Sequence, residues 1–474
     1  MSETLAADIC VIGAGVAGLS VAAGAAQLGA RTVLIERDRM GGQRLNSGCV
    51  PSKAMLATAG AVHAARLAGA FGGAADAIAV DWDRVRGHLR SVIADLALND
   101  SEARFEGLGV RVLKAAARFL SPDALVAGDS RVQARRFVVA TGSLPAVPPI
   151  DGLSDVPYLT SETAFDNAVR PAHLVIVGGG GSASVELAQA HARLGCRVTL
   201  LEPGAMLADE DPELVDVVRR RLQGEGVVIH EWVEVRRVEG IGSGVAAVTD
   251  IGGLLHQIVG SHLLVVAGRR PATDGLGLSE AGIVSTAHGI TVDDRLRTSN
   301  PRVFALGDVA GAPRLAHAAT DQAGVVLRNA LLRWPSRAGS AVPRVAYTAP
   351  GLASVGMSAA QASESGRRLR ILRWPFAEVD RARTDGDIDG MIKVVVTPRG
   401  RVLGAAIVGP SASELILPWT LAVDGKLSLR DLATAVVPYP TLNEISRRVA
   451  GSFYAPRIFS PAMKRLVRAM AWFG

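Results

Sequence analysis

Asp8-Ile9-Cys10-Val11-Ile12 reads as a buried strand, and it runs straight into Gly13-Ala14-Gly15-Val16-Ala17-Gly18 and then a small-residue apolar helix from Leu19 to Leu28. Few folds accept that order of strand, glycine turn and helix. Gly13 permits a tight turn, Gly15 lets the backbone approach a pyrophosphate, and Gly18 lets the helix pack closely on the strand. The helix N-terminus then offers free N–H groups and the positive end of its dipole to an anion. A second strand, Arg31-Thr32-Val33-Leu34-Ile35, ends at Glu36, a carboxylate placed to accept from a ribose hydroxyl. With strand, helix and acid in register, the segment predicts the opening of a doubly wound α/β domain that binds a dinucleotide.

The pattern returns in mid-chain. His173-Leu174-Val175-Ile176-Val177 leads into Gly178-Gly179-Gly180-Gly181-Ser182-Ala183-Ser184-Val185-Glu186 and a helix, and the strand Arg197 to Leu201 follows, ending at Glu202. Two registers are open, Gly178, Gly180 and Ala183 or Gly179, Gly181 and Ser184, and both replace the third glycine by another small residue. A carboxylate at Glu202 accepts from a ribose 2′-hydroxyl and repels a 2′-phosphate, so NADH is expected ahead of NADPH. Two such folds in one chain imply two nucleotides meeting face to face, and with them hydride transfer.

The rest of the composition narrows the class. At 474 residues the chain suits two to four domains and can bury a large cofactor. The net charge of +6 is spread over scattered arginines without a basic block, so no nucleic-acid partner is expected. Cys10, Cys49 and Cys196 are too few and too far apart for a secreted disulfide framework, and Glu3 and Asp8 stand where an export signal would be basic. A reducing cytoplasm fits. The uncharged stretch from Ile9 to Ala30 is long enough to span a bilayer, but its glycines divide it into a strand and a helix, and no span is expected.

Further motifs follow in chain order: Gly41-Gly42-Gln43-Arg44-Leu45-Asn46-Ser47-Gly48-Cys49-Val50-Pro51-Ser52-Lys53, Ala140-Thr141-Gly142-Ser143, Ala267-Gly268-Arg269-Arg270-Pro271, Val303-Phe304-Ala305-Leu306-Gly307-Asp308, Arg314-Leu315-Ala316-His317, and Pro438-Tyr439-Pro440-Thr441-Leu442-Asn443-Glu444. With the two glycine turns they cover nearly the whole chain, which resembles the pyridine nucleotide–disulfide oxidoreductases, in the branch of dihydrolipoamide dehydrogenase, glutathione reductase and mercuric reductase. The resemblance implies an α/β flavoprotein with two Rossmann-like, doubly wound, three-layer dinucleotide-binding domains plus an α+β C-terminal dimerisation domain. Residues 1–150 would bind FAD, 151–275 NAD(P), 276–335 would return to complete the FAD domain, and 340–474 would form the interface domain. Thr141, Gly142, Ser143 and Gly268 would bind cofactor, and Asp308 would bind the ribityl chain of FAD, followed by the contact segment with Leu315, Ala316 and His317. Lys53 would lie near the flavin, paired with Glu186. A homodimer is implied, each active site completed by the Tyr439 and Glu444 motif of the other subunit, and no metal is expected.

Two positions leave that pattern. The redox-active segment of the family has two cysteines separated by four residues, and the first is here Arg44. An arginine supplies no sulfur to a bond that needs two, about 2 Å apart. Cys10, inside the first strand, and Cys196, at the beginning of a later one, read as small core residues. Tyr439 stands where the disulfide reductases carry a proton-shuttling histidine, and a phenol with a pKa of about 10 is a poor base at neutral pH. Tyrosine there is similar to mercuric reductase, but that enzyme's C-terminal cysteine pair is missing from the closing residues 468–474.

The dithiol route is thereby lost while FAD binding and hydride acceptance remain. The expected activity is transfer from NADH to FAD and on to a small acceptor such as a quinone or dye, with Cys49 near the flavin and Arg44 placed to stabilise its thiolate. Two other readings stay open. One keeps thiol chemistry, of the dihydrolipoamide dehydrogenase or mercuric reductase type or with Cys49 alone cycling through a sulfenic acid. The other is a non-catalytic flavin-binding protein. Finally, Ser460 and Pro461 predict the start of a helix with Lys464, Arg465 and Arg468 on one side and Met463, Leu466, Val467 and Met470 on the other. Packing on its own dimer is expected of it, with peripheral membrane contact as the alternative.

Overall fold

The computed structural model describes residues 3–73, 78–311 and 313–472. They group into two compact units. One comprises Met1–Gly179, Ala190–Pro203 and Trp232–Gly339, the other Gly180–Gln189, Gly204–Glu231 and Ser340–Gly474.

In the first unit the strand Glu3–Ile12 is buried on both faces over its second half, Ile9 and Val11 towards one layer and Cys10 and Ile12 towards the other. Burial on both sides is why these residues form a continuous apolar run without alternation. The strand pairs in parallel with Thr32–Glu36, Ile12 opposite Ile35, and with Ser130–Val139, Ile12 opposite Val139. Arg111–Lys114 extends the sheet, again in parallel, beyond Thr32–Glu36. Ser130–Val139 carries two partners on its outer edge: antiparallel Ala124–Ala127 along its first half and parallel Val303–Ala305 along its end. A strand from far along the chain therefore completes the sheet begun at Glu3. One face is covered by the helices Val16–Gln27 and Ala316–Ala330, the other by Phe119, Leu125, Leu276, Ile283 and Ile290.

The same unit holds a second parallel set, Arg197–Leu201, His173–Gly178, His262–Val266 and Leu159–Thr160 side by side. An antiparallel meander of Val235–Ile241, Gly244–Ile251 and Leu254–Gly260 packs its Val235, Val238, Val245 and Ala247 against Val175, Val177, Leu263 and Val265. The uncharged stretch from Ile9 to Ala30 is divided between a strand and a helix, and among the described residues no helix is long and apolar enough to cross a membrane.

The second unit is α+β. Arg344–Ala346, Gly351–Gly356, Val402–Gly409, Met391–Val396 and Arg370–Pro375 form an antiparallel sheet in that order. Helices Leu417–Val423 and Glu444–Ile458 contribute the fully buried Trp419 and Ile445 to its core, and Trp419 Nε1 donates to Ser446 Oγ at 3.1 Å. Lys393, 6% exposed on strand Met391–Val396, reaches Asp211 Oδ2 at 2.6 Å and Glu213 Oε2 at 2.8 Å. Asp211 is also the N-cap of helix Pro212–Gly224, so one buried ammonium ties that helix end to the sheet.

Candidate functional site

The three glycines of the first turn differ in what surrounds them. Gly13 has φ +102°, and a Cβ there would lie 2.5 Å from the Ala140 carbonyl oxygen; one on Gly18 would lie 1.8 Å from that of Gly13. Those two glycines are demanded by packing. Gly15, the N-cap of helix Val16–Gln27, has nothing within 4 Å of its Cβ position and no side-chain cap, so the helix N-terminus faces open space. Glu36 accepts from the backbone N–H of Ala14 at 2.7 Å and of Asp38 at 2.8 Å, strapping the turn to the second strand.

The second turn keeps the spacing of the first but not its backbone, since the left-handed φ falls at its second glycine, Gly180 (+75°), and not at the first. In both turns the first glycine directly follows the strand, at Ile12 or Gly178, and the helix starts three residues later, at Val16 or Ser182, when Gly179 is matched to Gly13. Gly181 then corresponds to Gly15 and is equally open, and Ser184 corresponds to Gly18, buried with its hydroxyl donating to the Gly181 carbonyl at 3.0 Å. Gly178 stands where the first turn has Ile12. A Cβ there would fall 2.2 Å from Glu202 Oε1, and Glu202 is fully buried. The carboxylate expected at a ribose thus fills the gap left by a missing side chain at the strand end.

The crossover motifs converge. The short strands Ser143–Pro145 and Arg269–Pro271 pair antiparallel, and Thr141 Oγ1 donates to the Ala272 carbonyl at 2.8 Å. Ser143 Oγ donates to Asp308 Oδ2 at 2.5 Å, Arg269 Nε donates to Ser143 Oγ at 2.7 Å, and Arg269 Nη2 donates to the Ser143 carbonyl at 2.6 Å and to Glu162 Oε1 at 2.9 Å. Gly307, at φ +70°, donates its N–H to Gln322 Oε1 at 2.8 Å and sets Asp308 at the strand exit. Gly142 and Gly268 also have positive φ. Leu315, Ala316 and His317 form the N-terminal end of helix Ala316–Ala330.

Cys49 begins helix Cys49–Leu67 and is exposed, and Lys53 follows one turn later on the same face. All three cysteines are free. Burial pushes the Cys10 thiol above its usual range and that of Cys196 up to about 11. The Arg44 guanidinium is ion-paired through Nη2 with the buried Asp100, and its Nε is buried without a hydrogen-bond partner. In the second unit Glu186 is buried, and its Oε1 accepts from the Tyr347 N–H at 2.9 Å.

In the interface motif the Tyr439 phenol is exposed and donates to Asp380 Oδ2 at 2.8 Å. That hydrogen bond, followed by the charge of Asp380, holds the phenol above its ordinary pKa. Glu444 is buried, with Oε1 3.6 Å from Arg448 Nη2 and Oε2 without a hydrogen-bond partner. Asp100, Glu162 and Asp380 were not foreseen. No motif marks any of them in the sequence.

Residues 7–323 match the pyridine nucleotide-disulphide oxidoreductase family, and residues 342–450 match the dimerisation domain of that family. The chain belongs to the pyridine nucleotide-disulphide oxidoreductases. Proteins of this family are oxidoreductases that bind FAD and NAD(P)H. The chain is 34% identical to a mercuric reductase of Streptomyces lividans, over 94% of this chain and 96% of that one. It is also 34% identical to a dihydrolipoyl dehydrogenase of Geobacillus stearothermophilus, over 94% and 95%. Among solved structures, LpdA from Mycobacterium tuberculosis superposes with a TM-score of 0.86 at 27% identity, covering 95% of this chain and 99% of that one. The HOCl-induced flavoprotein disulfide reductase RclA from Escherichia coli gives 0.83 at 28% identity, covering 94% and 99%.

Proposed function

We propose that this family member is an FAD-dependent NADH oxidoreductase that delivers electrons to a small acceptor of the quinone or dye type, not to a disulfide. The observation that carries the reading is Arg44, which brings a guanidinium and its partner Asp100 to the place where the family's first redox cysteine would stand. The remaining thiols do not replace it, because Cys10 and Cys196 are buried and held protonated.

FAD, when bound, supplies a ring that accepts hydride from NADH and returns the electrons to a second acceptor. The chain's own residues fit that cofactor. The open space at Gly15 and the unsatisfied N–H groups behind it suit one pyrophosphate, and Gly181 suits the other. Ser143, Arg269 and Glu162 hold Asp308 in one orientation beside the first sheet, as a ribityl contact requires. Lys53 and Glu186 are assigned to the site beside the flavin, and Cys49 lies one turn from Lys53. The preference for NADH over NADPH rests on Glu202, an acid directly after the strand Arg197–Leu201. The dimerisation domain at 342–450 supports a homodimer, with Tyr439 held neutral by Asp380 as a hydrogen-bond donor at the shared site. We assign the protein to the cytoplasm, as its free thiols suggest.

Anaerobic stopped-flow mixing of the yellow protein with NADH tests the first half: flavin that stays oxidised contradicts it. A steady-state panel of quinones, dyes and dihydrolipoamide tests the second, and turnover confined to dithiols contradicts it. The exposed Cys49 favours one alternative, a sulfenic acid cycle, for which peroxide-dependent NADH oxidation abolished in Cys49→Ser is the signature.

A further inference from the structure

No acidic residue follows Glu444, whereas Arg447, Arg448, Arg457, Lys464, Arg465 and Arg468 do. Taking these six from the 51 cations of the chain leaves 45 against 45 acids, so the whole net charge of +6 resides in residues 445–474. Within them the helix Pro461–Met470 starts at Ser460, whose hydroxyl accepts from the Met463 N–H, and it buries none of its residues. Met463, Leu466, Val467 and Met470 share one face and are 42%, 51%, 60% and 64% exposed. At about 100° per residue they span an arc of about 100°, and Lys464, Arg465 and Arg468 span an arc of similar width opposite. Ile458, Phe459 and Trp472 add exposed apolar surface at either end. The match to the family's dimerisation domain stops at residue 450, before this helix.

We propose that the helix Pro461–Met470 docks on an anionic membrane surface with its apolar face in the headgroup region. Charge decides between the occupants. A second copy brings another cluster of like-charged cations and no net negative charge elsewhere in its sequence, whereas an anionic bilayer offers hydrocarbon to the apolar face and negative charge to the cations. Trp472, at the exit of the helix, is of the residue type that settles at the membrane–water boundary. The inference does not depend on which acceptor the flavin serves.

The test is co-sedimentation of the full-length flavin-loaded protein with vesicles of phosphatidylcholine alone and of phosphatidylcholine mixed with phosphatidylglycerol. Binding is expected only to the mixed vesicles, falling with salt. Lys464→Gln, Arg465→Gln and Arg468→Gln together should weaken partitioning roughly 100-fold, at about five-fold per cation. Leu466→Ser with Val467→Ser should also release the protein although every cation remains. Unchanged flavin absorbance shows that the variants are folded. Wild-type protein left in the supernatant with both vesicles overturns the proposal, as does undiminished binding of the serine variant. Truncation after Ser460 that turns dimers into monomers assigns the face to a second copy and overturns it equally.

Discussion

The phenol of Tyr439 donates its proton to Asp380 Oδ2 at 2.8 Å, while the buried Glu444 of the same motif keeps one oxygen without a partner. The tyrosine is therefore committed to a neutral, donating state. Because its pKa is raised in the folded protein, the contribution to stability is present below the ordinary phenol range and is lost as pH rises through the folded value. Asp380→Asn should move the phenol's titration to lower pH. Difference absorbance of the tyrosinate band, with Tyr439→Phe to assign the signal, checks it; an unchanged titration would show that Asp380 does not hold the proton.

Arg44 and Asp100 should behave as a coupled pair. Arg44→Met strands a mostly buried carboxylate, with only 12% of the Asp100 side chain exposed, and should cost about 1–3 kcal/mol. Asp100→Asn should cost a similar amount. The double variant should lose clearly less than the sum, read from urea unfolding, and strict additivity would argue against the pair.

Gly15 and Gly18 should separate ligand binding from packing. Gly18→Ala puts a Cβ 1.8 Å from a backbone oxygen and should destabilise the protein by about 1–3 kcal/mol even without flavin. Gly15→Ala meets nothing within 4 Å, so its stability without flavin should change by less than about 0.5 kcal/mol while flavin affinity falls at least about ten-fold. Thermal denaturation of the flavin-free protein and flavin titration measure the two effects; equal flavin affinity in Gly15→Ala would remove the pyrophosphate from that turn.

Lys393 neutralises two acids within the second unit, and Lys393→Met should cost about 3–5 kcal/mol by leaving Asp211 buried without its counter-ion. Its hydrogen bond to Glu213, which outweighs desolvation, lowers the pKa of that carboxyl. The associated stability is thus present above the ordinary carboxyl value of 4.5 and is lost as pH falls through the lower folded value. Urea midpoints compared at neutral pH and at acid pH should show a smaller acid loss in Lys393→Met, and the same loss in both proteins would assign the acid sensitivity elsewhere.

What the sequence made legible was local. Gly13, at φ +102°, and Gly18, pressed on its carbonyl, meet demands that the backbone makes within a few residues, so spacing alone reveals them. The pairing of strand Val303–Ala305 with Ser130–Val139 was not foreseen, because nothing in its own residues names a partner so far away; the family resemblance gave only a return of 276–335 to the first domain. The acids that organise the site were illegible for the same reason. Asp100 lies 56 positions from Arg44 and Asp380 59 from Tyr439, and a lone carboxylate shows its partner only once the chain has folded. Glu202 was correctly marked as an acid at a strand end, but its burial depends on Gly178, which the sequence offered as one of two turn registers.

Anaerobic reductive titration of the purified flavoprotein addresses the loss of the dithiol most directly. If Arg44 has replaced the redox cysteine, the protein should accept one two-electron equivalent per flavin and bleach in a single phase. Uptake of a second two-electron equivalent per flavin, with two thiols appearing on titration, would contradict the account.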